Sequence, residues 1–235
     1  MRLRKTVRNI MYKVAEIFTS INGESRLAGE LAVFVRFVGC NLSCTYCDTA
    51  WAISMDAPHK EMSLDEIIAY VEQTGIKNVT LTGGEPLLSE GIEELIIELI
   101  GHNHRVEIET NGAVDIRPLL DTAAKLSIKD ELSITLDYKC PSSGMESFMV
   151  MENYDVLRSY DTVKFVVGNK ADLDKAREII EKYDLIDRCA VYLSAVFGKI
   201  TPREIVEYML EHKMNGVTHQ LQQHKFIWDP NARGV

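Results

Sequence analysis

Apolar and polar positions follow two different periods along the chain. Short runs rich in β-branched and aromatic residues predict strands, several of them ending in a turn or loop, within 31–39, 77–88, 105–112, 132–144, 162–169 and 189–198. Apolar residues at helical spacing predict helices over 63–75, 90–103, 171–183 and 201–213. Strands that alternate with helices are typical of a parallel sheet covered by helices. We therefore predict an α/β fold, a partial (incomplete) TIM-type barrel of about six parallel strands with helices outside.

Two of the predicted helices carry clear end signals. Ser63 and Glu66 are spaced as a capping box, and Gly75 is a stop signal for the helix that follows. Thr201 is the expected cap of the last helix, with Pro202 in its first turn. No fixed-period repeat and no low-complexity linker divides the chain. We expect a single domain over 1–235, with residues 1–10 as a loose N-terminal extension that has no function of its own.

Four polar motifs follow predicted strands. They are the cysteine cluster at 40–47, "TGGE" at 82–85, "ETNG" at 109–112 and "DYK" at 137–139. In α/β folds of this kind, ligands bind just beyond the carboxyl ends of the parallel strands. These motifs should therefore converge on one face of the sheet and form one site.

Composition narrows the class of ligand. The chain has 235 residues, a formal net charge of -9 and a hydrophobic content of 46%, which is ordinary for a globular domain. The acidic balance argues against broad electrostatic capture of nucleic acid or of an anionic membrane, since both need a dense basic surface. No secretory signal and no apolar run of about 20 residues is present. We expect a cytoplasmic protein with a small-molecule substrate.

The cysteines are the strongest chemical signal. Cys40, Cys44 and Cys47 lie within eight positions, whereas Cys140 and Cys189 stand alone. A structural zinc site usually has four ligands in two pairs, and a second pair is missing here, although Cys140 could complete a site. An iron–sulfur cluster held by three thiolates would leave one iron open for a ligand. The spacing favours iron–sulfur, with zinc and unliganded thiols as alternatives.

The segment "CNLSCTYC" resembles the signature loop of the radical S-adenosylmethionine enzymes. The resemblance implies that the three clustered cysteines hold a 4Fe–4S cluster and that S-adenosylmethionine chelates the open iron. The segment "TLTGGEPLL" resembles the GGE motif of the same family, which binds the amino group of the methionine moiety. The two motifs together imply a radical S-adenosylmethionine core in the predicted partial barrel.

Three further segments narrow the family. "SINGES" at 20–25, "CDT" at 47–49 and the closing "HQLQQHKFIWDPNARGV" resemble the 7-carboxy-7-deazaguanine synthases, and the similarity runs from about Lys13 to the C-terminus. These lyases of queuosine and deazapurine biosynthesis convert 6-carboxy-5,6,7,8-tetrahydropterin to 7-carboxy-7-deazaguanine with loss of ammonia. Asn22 and Ser25 depart from the glutamine and glycine that the family often has there.

The resemblance implies a role for each matching residue. Thr49 would bind Mg²⁺, and no side chain is expected to act as a catalytic acid or base, because the 5′-deoxyadenosyl radical comes from the cofactor. The implied pterin-binding residues are Ile21, Asn22, Gly23, Glu24, Arg36, Thr82 and His224. The implied S-adenosylmethionine-binding residues are Tyr46, Gly84, Glu85, Asp137, Tyr138, Lys139 and Ser194.

The resemblance also implies a homodimer and an electron donor such as a flavodoxin, with neither nucleic acid nor membrane as a partner. Two other functions remain open from the residues. One is an activase that installs a glycyl radical on a partner enzyme, since it would share the cysteine loop and a small barrel. The other is a zinc-stabilised binding module.

Overall fold

The described residues build one sheet covered by helices. The structure is a computed structural model that describes residues 10–230 and 232–235. Within them, nine strands form a single sheet in the order β3-β1-β2-β4-β5-β6-β7-β8-β9. The strands are β1 (Met11–Ile21), β2 (Leu31–Phe37), β3 (Lys60–Ser63), β4 (Asn78–Gly83), β5 (Arg105–Thr110), β6 (Leu132–Tyr138), β7 (Thr162–Val167), β8 (Ala190–Ala195) and β9 (Val217–His219).

The α-helices of the described residues connect these strands in chain order, except the last one, which follows β9. They are α1 (Leu64–Thr74), α2 (Ile92–Gly101), α3 (Arg117–Leu126), α4 (Lys170–Lys182), α5 (Leu185–Arg188), α6 (Pro202–Glu211) and α7 (His224–Ile227). Each of α1, α2, α3, α4 and α6 buries one apolar stripe and exposes polar residues on its other side. The apolar stripes cover the sheet and form one core with it.

The topology confirms the predicted fold class. The strands from β2 to β9, β3 excepted, pair in parallel and follow the sheet in chain order. At one edge β1 pairs antiparallel with β2, and β3 pairs antiparallel with β1. The sheet is therefore open, and the carboxyl ends of its parallel strands lie along one rim, as the sequence analysis requires for a shared site.

The predicted helix ends are confirmed in atomic detail. Ser63 Oγ accepts a hydrogen bond from the backbone N–H of Glu66, and the Glu66 carboxylate accepts one from the Ser63 N–H. Gly75 then ends α1 in a left-handed conformation with φ of 68°. Thr201 caps α6 in the same reciprocal way as Ser63 caps α1.

Other elements did not stand out in the sequence. The strand β1 precedes the first predicted strand and continues to Ile21, inside the SINGES segment, before the chain turns. The short elements β3, β9 and α7 do not stand out, because a strand or helix of three or four residues offers few repeats of its period. The ten-residue helix α3 was not predicted either.

The predicted N-terminal extension, residues 1–10, lies outside the described residues except for Ile10. Among residues 10–230 and 232–235, no helix combines the length and apolarity that crossing a membrane requires.

Candidate active site

A cavity of about 920 Å³ opens at the carboxyl ends of the parallel strands. Its lining includes residues from each of the four polar motifs, which the sequence placed after separate strands. The motif residues on its wall are Cys40, Cys44, Cys47, Thr82, Gly83, Gly84, Glu109, Thr110, Asn111, Asp137 and Lys139. The predicted convergence of the motifs is therefore present in the structure.

The three clustered cysteines are partly buried free thiols on this wall. Backbone hydrogen bonds hold the start of their loop, from Gly39 N–H to the Ala52 carbonyl at 2.8 Å and from Cys40 N–H to the Ile53 carbonyl at 2.9 Å. Cys140 is fully buried and does not line the cavity, so it does not join them. Within the described residues, no group of three or more His, Cys, Asp and Glu side chains could hold a single metal ion. The arrangement thus gives no support to a mononuclear zinc site.

The glycine pair of the TGGE motif lies directly against the backbone that leads into the cysteine loop. Gly84 N–H donates to the Phe37 carbonyl at 3.0 Å, and Glu85 N–H donates to the Gly39 carbonyl at 2.7 Å. A Cβ atom on Gly84 would lie 2.0 Å from the Gly39 carbonyl oxygen, well inside van der Waals contact. The motif needs glycine because two backbones meet there.

Glu85 is not among the residues that line the cavity, so its predicted contact with the cofactor stays a prediction. The side chain is fully buried. Its carboxylate accepts hydrogen bonds from Thr110 Oγ1 at 2.8 Å, Asn111 N–H at 2.7 Å and Leu87 N–H at 3.1 Å. Burial raises the pKa of Glu85 to about 7, against the opposing effect of these bonds. Glu85 therefore joins two strand ends, while Gly83 and Gly84 present backbone to the cavity.

Asn111 continues this connection to the cysteine loop. Its Nδ2 donates to Asn41 Oδ1 at 2.8 Å and lies 3.5 Å from Cys40 Sγ. No individual role was predicted for Asn111, although its position in the ETNG motif after β5 indicated that it would lie near the site. A buried hydrogen-bonded path thus runs from Glu85 through Asn111 to the first cysteine.

The remaining predicted cofactor residues divide between the cavity and the core. Tyr46 lines the cavity, and its hydroxyl donates to the Val166 carbonyl at 3.1 Å. Asp137 and Lys139 line it as an ion pair of 2.5 Å, and Asp137 Oδ1 is buried with no hydrogen-bond partner among the described residues. Tyr138 points to the opposite face of the sheet, because neighbouring residues of a strand alternate, and its hydroxyl donates to Glu146.

Ser194 is not a cavity-lining residue, although its strand neighbour Ala195 is. It pairs in register with Val166, which does line the cavity. The Ser194 side chain is fully buried, and its hydroxyl has no hydrogen-bond partner among the described residues.

Glu24 is the best-defined of the predicted pterin-binding residues. Its Oε2 accepts from Lys164 Nζ at 2.9 Å and from Gln222 Nε2 at 3.1 Å. Its Oε1 is buried without a hydrogen-bond partner in the described part of the chain. Burial alone would raise the pKa of Glu24, but Lys164 and Gln222 hold it below its ordinary value. Glu24 is therefore a carboxylate with one anchored oxygen and one free oxygen.

His224 lies over Gly23, and both line the cavity. A Cβ on Gly23 would lie 2.3 Å from His224 Nδ1, so only glycine lets the ring approach this closely. Burial lowers the pKa of His224, although the nearby Glu24 acts in the opposite direction. The ring is thus neutral at neutral pH and offers one donor and one acceptor nitrogen.

Three more predicted pterin residues, Ile21, Arg36 and Thr82, line the cavity, but Asn22 does not. Asn22 is buried, and its Oδ1 accepts a hydrogen bond from Thr80 Oγ1 at 2.9 Å. Thr80 lies two residues before the cavity-lining Thr82 on β4 and so shares its face, which places the Asn22 side chain beneath the cavity wall. Asn22 is thus not brought to the cavity wall with the other predicted pterin residues, and its contact with the pterin stays a prediction.

Arg36 already has a protein partner, which sequence reasoning missed. Its Nε donates to Glu16 Oε1 at 2.8 Å, and both side chains line the cavity. Glu16 lies opposite Arg36 in the β1–β2 register, so recognising β1 as a strand was the signal that could have found it. One carboxylate occupies only part of a guanidinium that carries five N–H donors.

The predicted Mg²⁺ residue, Thr49, lies at the cavity wall beside Asp48. Thr49 Oγ1 donates to Asp48 Oδ1 at 3.0 Å, and Lys225 Nζ lies 3.5 Å from Asp48 Oδ2. Hydroxyl and carboxylate oxygens are the ligand type that Mg²⁺ prefers.

Comparison with known proteins identifies the family of this chain. The model of the Radical SAM superfamily matches residues 34–139. A 7-carboxy-7-deazaguanine synthase of Clostridium acetobutylicum is 50% identical over 225 residues, which cover 95% of this chain and 99% of the relative. The chain belongs to the 7-carboxy-7-deazaguanine synthase family. A second family member, from Chlorobaculum tepidum, is 35% identical, with 94% of this chain and 96% of the relative covered.

A solved structure confirms the fold. The crystal structure of QueE from Escherichia coli matches with a TM-score of 0.69 at 21% identity, and the match covers 91% of this chain and 95% of that one. At this identity the likeness concerns the fold alone.

The residues present fit the cofactors that a radical 7-carboxy-7-deazaguanine synthase requires. Three free thiols stand together on the cavity wall, and soft thiolates are the ligands of iron–sulfur clusters. Beside them, Gly84 brings backbone to the wall, and the unpartnered Asp137 Oδ1 is an acceptor that a ligand can satisfy. The donor set thus combines soft sulfur for a cluster with hard oxygen and backbone for an organic cofactor.

Replacing Gly84 tests the backbone contact of this 7-carboxy-7-deazaguanine synthase. In Gly84→Ala the new Cβ has to displace the backbone at Gly39, and with it the adjacent Cys40. We expect the iron and sulfide content after anaerobic reconstitution to fall to less than about half that of the wild type, with a stability loss of roughly 1–3 kcal/mol. Gly101→Ala is the matched control, since nothing lies within 4 Å of its Cβ. Full iron loading in Gly84→Ala would contradict the role given to this contact.

A second prediction concerns Glu107, a buried acid beneath the cavity. Its Oε1 accepts from Thr135 Oγ1 at 2.6 Å, and its Oε2 has no hydrogen-bond partner among the described residues. Burial and the nearby Glu109 raise the pKa of Glu107 to about 7 from an ordinary 4.5. Between these values the unfolded chain has released its proton and the folded protein has not, so stability falls as pH rises.

Glu107→Gln removes this dependence. The free energy of unfolding of the variant, taken relative to that of the wild type, should rise by roughly 2–3 kcal/mol when the pH is raised from about 4.5 to 8. Urea unfolding of the apoproteins at both pH values measures the change, with the exposed Glu61→Gln as control. A wild-type-to-variant difference that stays constant with pH would contradict the raised pKa.

Proposed function

We propose that this protein is a radical S-adenosylmethionine lyase that converts 6-carboxy-5,6,7,8-tetrahydropterin to 7-carboxy-7-deazaguanine with loss of ammonia. The observation that carries the proposal is one cavity that holds both the three free thiols and the anchored, ionised Glu24. A 4Fe–4S cluster and S-adenosylmethionine are the cofactors, and when bound they supply the 5′-deoxyadenosyl radical that abstracts hydrogen from the substrate. The protein residues bind, orient and shield the substrate.

Recognition of the pterin rests on complementary hydrogen bonds. The amino-pyrimidinone edge carries neighbouring N–H donors, and the free Oε1 of Glu24 is a charged acceptor for them. Neutral His224 and the hydroxyl of Thr82 line the same cavity and add polar contacts. Arg36, whose planar guanidinium is only partly used by Glu16, binds the carboxylate of the substrate.

The cavity also has the means to exclude water. Phe18 and Phe34 both line it, and their rings stack with centroids 5.1 Å apart. At the C-terminal end of the chain, residues 232–235 line the wall, with the Arg233 guanidinium 4.3 Å from the centre of the Trp51 ring. These apolar and stacked groups surround the reacting ring and limit quenching of a radical by solvent.

Mg²⁺ completes the proposed site. Thr49 and Asp48 would hold it at the cavity wall, where it would supply positive charge to polarise and orient a substrate oxygen. We also infer a cytoplasmic homodimer that receives electrons from a flavodoxin-type donor. The family resemblance supports these partners, and the exposed apolar side chains of Leu221, Phe226 and Ile227 offer surface for such contacts.

The central experiment follows two products in one anaerobic reaction. The reconstituted protein is mixed with S-adenosylmethionine, reductant, Mg²⁺ and 6-carboxytetrahydropterin, and mass spectrometry measures 5′-deoxyadenosine and 7-carboxy-7-deazaguanine. We expect both with the wild type and neither with Cys44→Ala, which should also lose bound iron. Deoxyadenosine without the deazaguanine would retain the radical chemistry and overturn the substrate. Wild-type iron content in Cys44→Ala would overturn the cluster ligand.

Arg36 gives a separate prediction about substrate binding. Removal of a charge-assisted hydrogen bond costs roughly 1.5–3 kcal/mol, so Arg36→Ala should raise KM for the pterin about 10- to 100-fold. The affinity for S-adenosylmethionine should stay within about threefold of the wild type. Arg117→Ala is the matched control, because Arg117 is exposed, pairs with the nearby Asp115 and does not line the cavity. An unchanged KM in Arg36→Ala would remove Arg36 from the carboxylate site.

A further inference from the structure

Lys164 is a cavity residue that belongs to none of the motifs. It lies on β7, its side chain is only 13% exposed, and it lines the wall between Glu24 and Asp137. Its Nζ donates to Glu24 Oε2 at 2.9 Å across 140 positions of sequence. A lysine in such a place is unusual, because lysine is seldom buried without a specific partner.

The surroundings keep Lys164 charged. Burial alone would lower the pKa of its ammonium group, but Glu24, Asp137 and Glu109 raise it well above the ordinary value. These carboxylates come from the loop after β1 and from the ends of β6 and β5, so three elements face the same ammonium group. Lys164 therefore does not readily release a proton, which argues against a role as the acid that protonates departing ammonia.

The positive charge of Lys164 acts on the carboxylate of Glu24. Lys164 and Gln222 both donate to Oε2, whereas Oε1 remains buried and unpartnered in the described structure. From the C-terminal segment His224 also acts on Glu24, and burial lowers the pKa of His224, so its ring is neutral near pH 7. Without Lys164, a nearly buried carboxylate would lose its cation and favour the protonated form.

The geometry points to Lys164 as a positioning residue that sets ring specificity, by keeping Glu24 ionised and turned so that Oε1 meets N–H donors of the ligand. A 2-amino-4-oxo ring then binds well, whereas a ring with a carbonyl at the 2-position faces a negative oxygen. This inference rests on the proposed function, since it assumes that Glu24 contacts the pterin edge. It adds a residue that acts on the ligand through Glu24 without touching it.

The test compares two probes that differ only at that position. Anaerobic equilibrium dialysis of the reconstituted protein with S-adenosylmethionine measures Kd for 6-carboxypterin and for 6-carboxylumazine, its 2-oxo counterpart, from pH 6.0 to 7.5. The variants are Lys164→Met and Lys164→Gln, with Lys164→Arg as the charge-retaining variant. Lys175→Met is the control, since Lys175 pairs with Glu146 and Glu178 away from the cavity.

We expect the wild type to bind the pterin at least about 30-fold more tightly than the lumazine. Lys164→Met and Lys164→Gln should lose about tenfold or more of pterin affinity at pH 6.0 and recover part of it by pH 7.5, as Glu24 ionises. Their affinity for the lumazine should stay the same or increase, so that the ratio of the lumazine Kd to the pterin Kd falls below about fivefold. Lys164→Arg should retain most of the discrimination. Dividing each variant Kd by the wild-type value at the same pH cancels titration of the ligands, and Lys164→Arg retains the charge that also acts on His224.

The outcomes separate this inference from the proposed function. A loss that is equal for both probes at every pH indicates a merely structural role and overturns the specificity role of Lys164. Unchanged discrimination in both neutral variants, with wild-type iron content, overturns it as well. A wild type that binds neither probe and yields no deazaguanine overturns the proposed function itself. Gln222→Leu, which removes the second donor to Oε2, should show the same trend with a smaller amplitude.

Discussion

The site depends on one close approach between two backbones. The turn at Gly83 and Gly84 lies against Phe37 and Gly39, where a single added methyl group would come within 2.0–2.3 Å of a carbonyl oxygen. Backbone hydrogen bonds of 2.7 and 3.0 Å then join the ends of β2 and β4. Because Cys40 follows Gly39 directly, the position of the first cysteine is set by this contact.

The buried carboxylate of Glu85 extends the contact to the next strand. It accepts hydrogen bonds from Thr110 and Asn111 at the end of β5, and Asn111 in turn reaches Asn41 and Cys40. A carboxyl group inside a protein is costly unless hydrogen bonds satisfy it. Those bonds make Glu85 a link between the ends of β4 and β5, and Asn111 extends the link to the cysteine loop that follows β2.

The charges around the cavity follow a common arrangement. Glu16 with Arg36, Glu24 with Lys164, and Asp137 with Lys139 are ion pairs on or beside its wall. In the last two pairs, one carboxylate oxygen is bonded to the lysine and the other has no partner in the described residues. Such pairs hold their charges in a fixed direction and leave acceptors for a ligand. The net charge of -9 therefore reveals little about the site, where each of these acids has its own cation.

The sequence by itself determined the repeated strand and helix pattern, the helix caps at Ser63 and Thr201, and the identity of the cysteine loop, since each depends on residues close together in the chain. It also placed four motifs at one rim, because parallel strands share a direction. Only the tertiary structure decided which side chains reach the cavity. Asn22, Glu85 and Tyr138 are not among the residues that line it, whereas Glu16 and Lys164 are. Their direction depends on strand register and on partners up to 140 positions away, which a local pattern does not record.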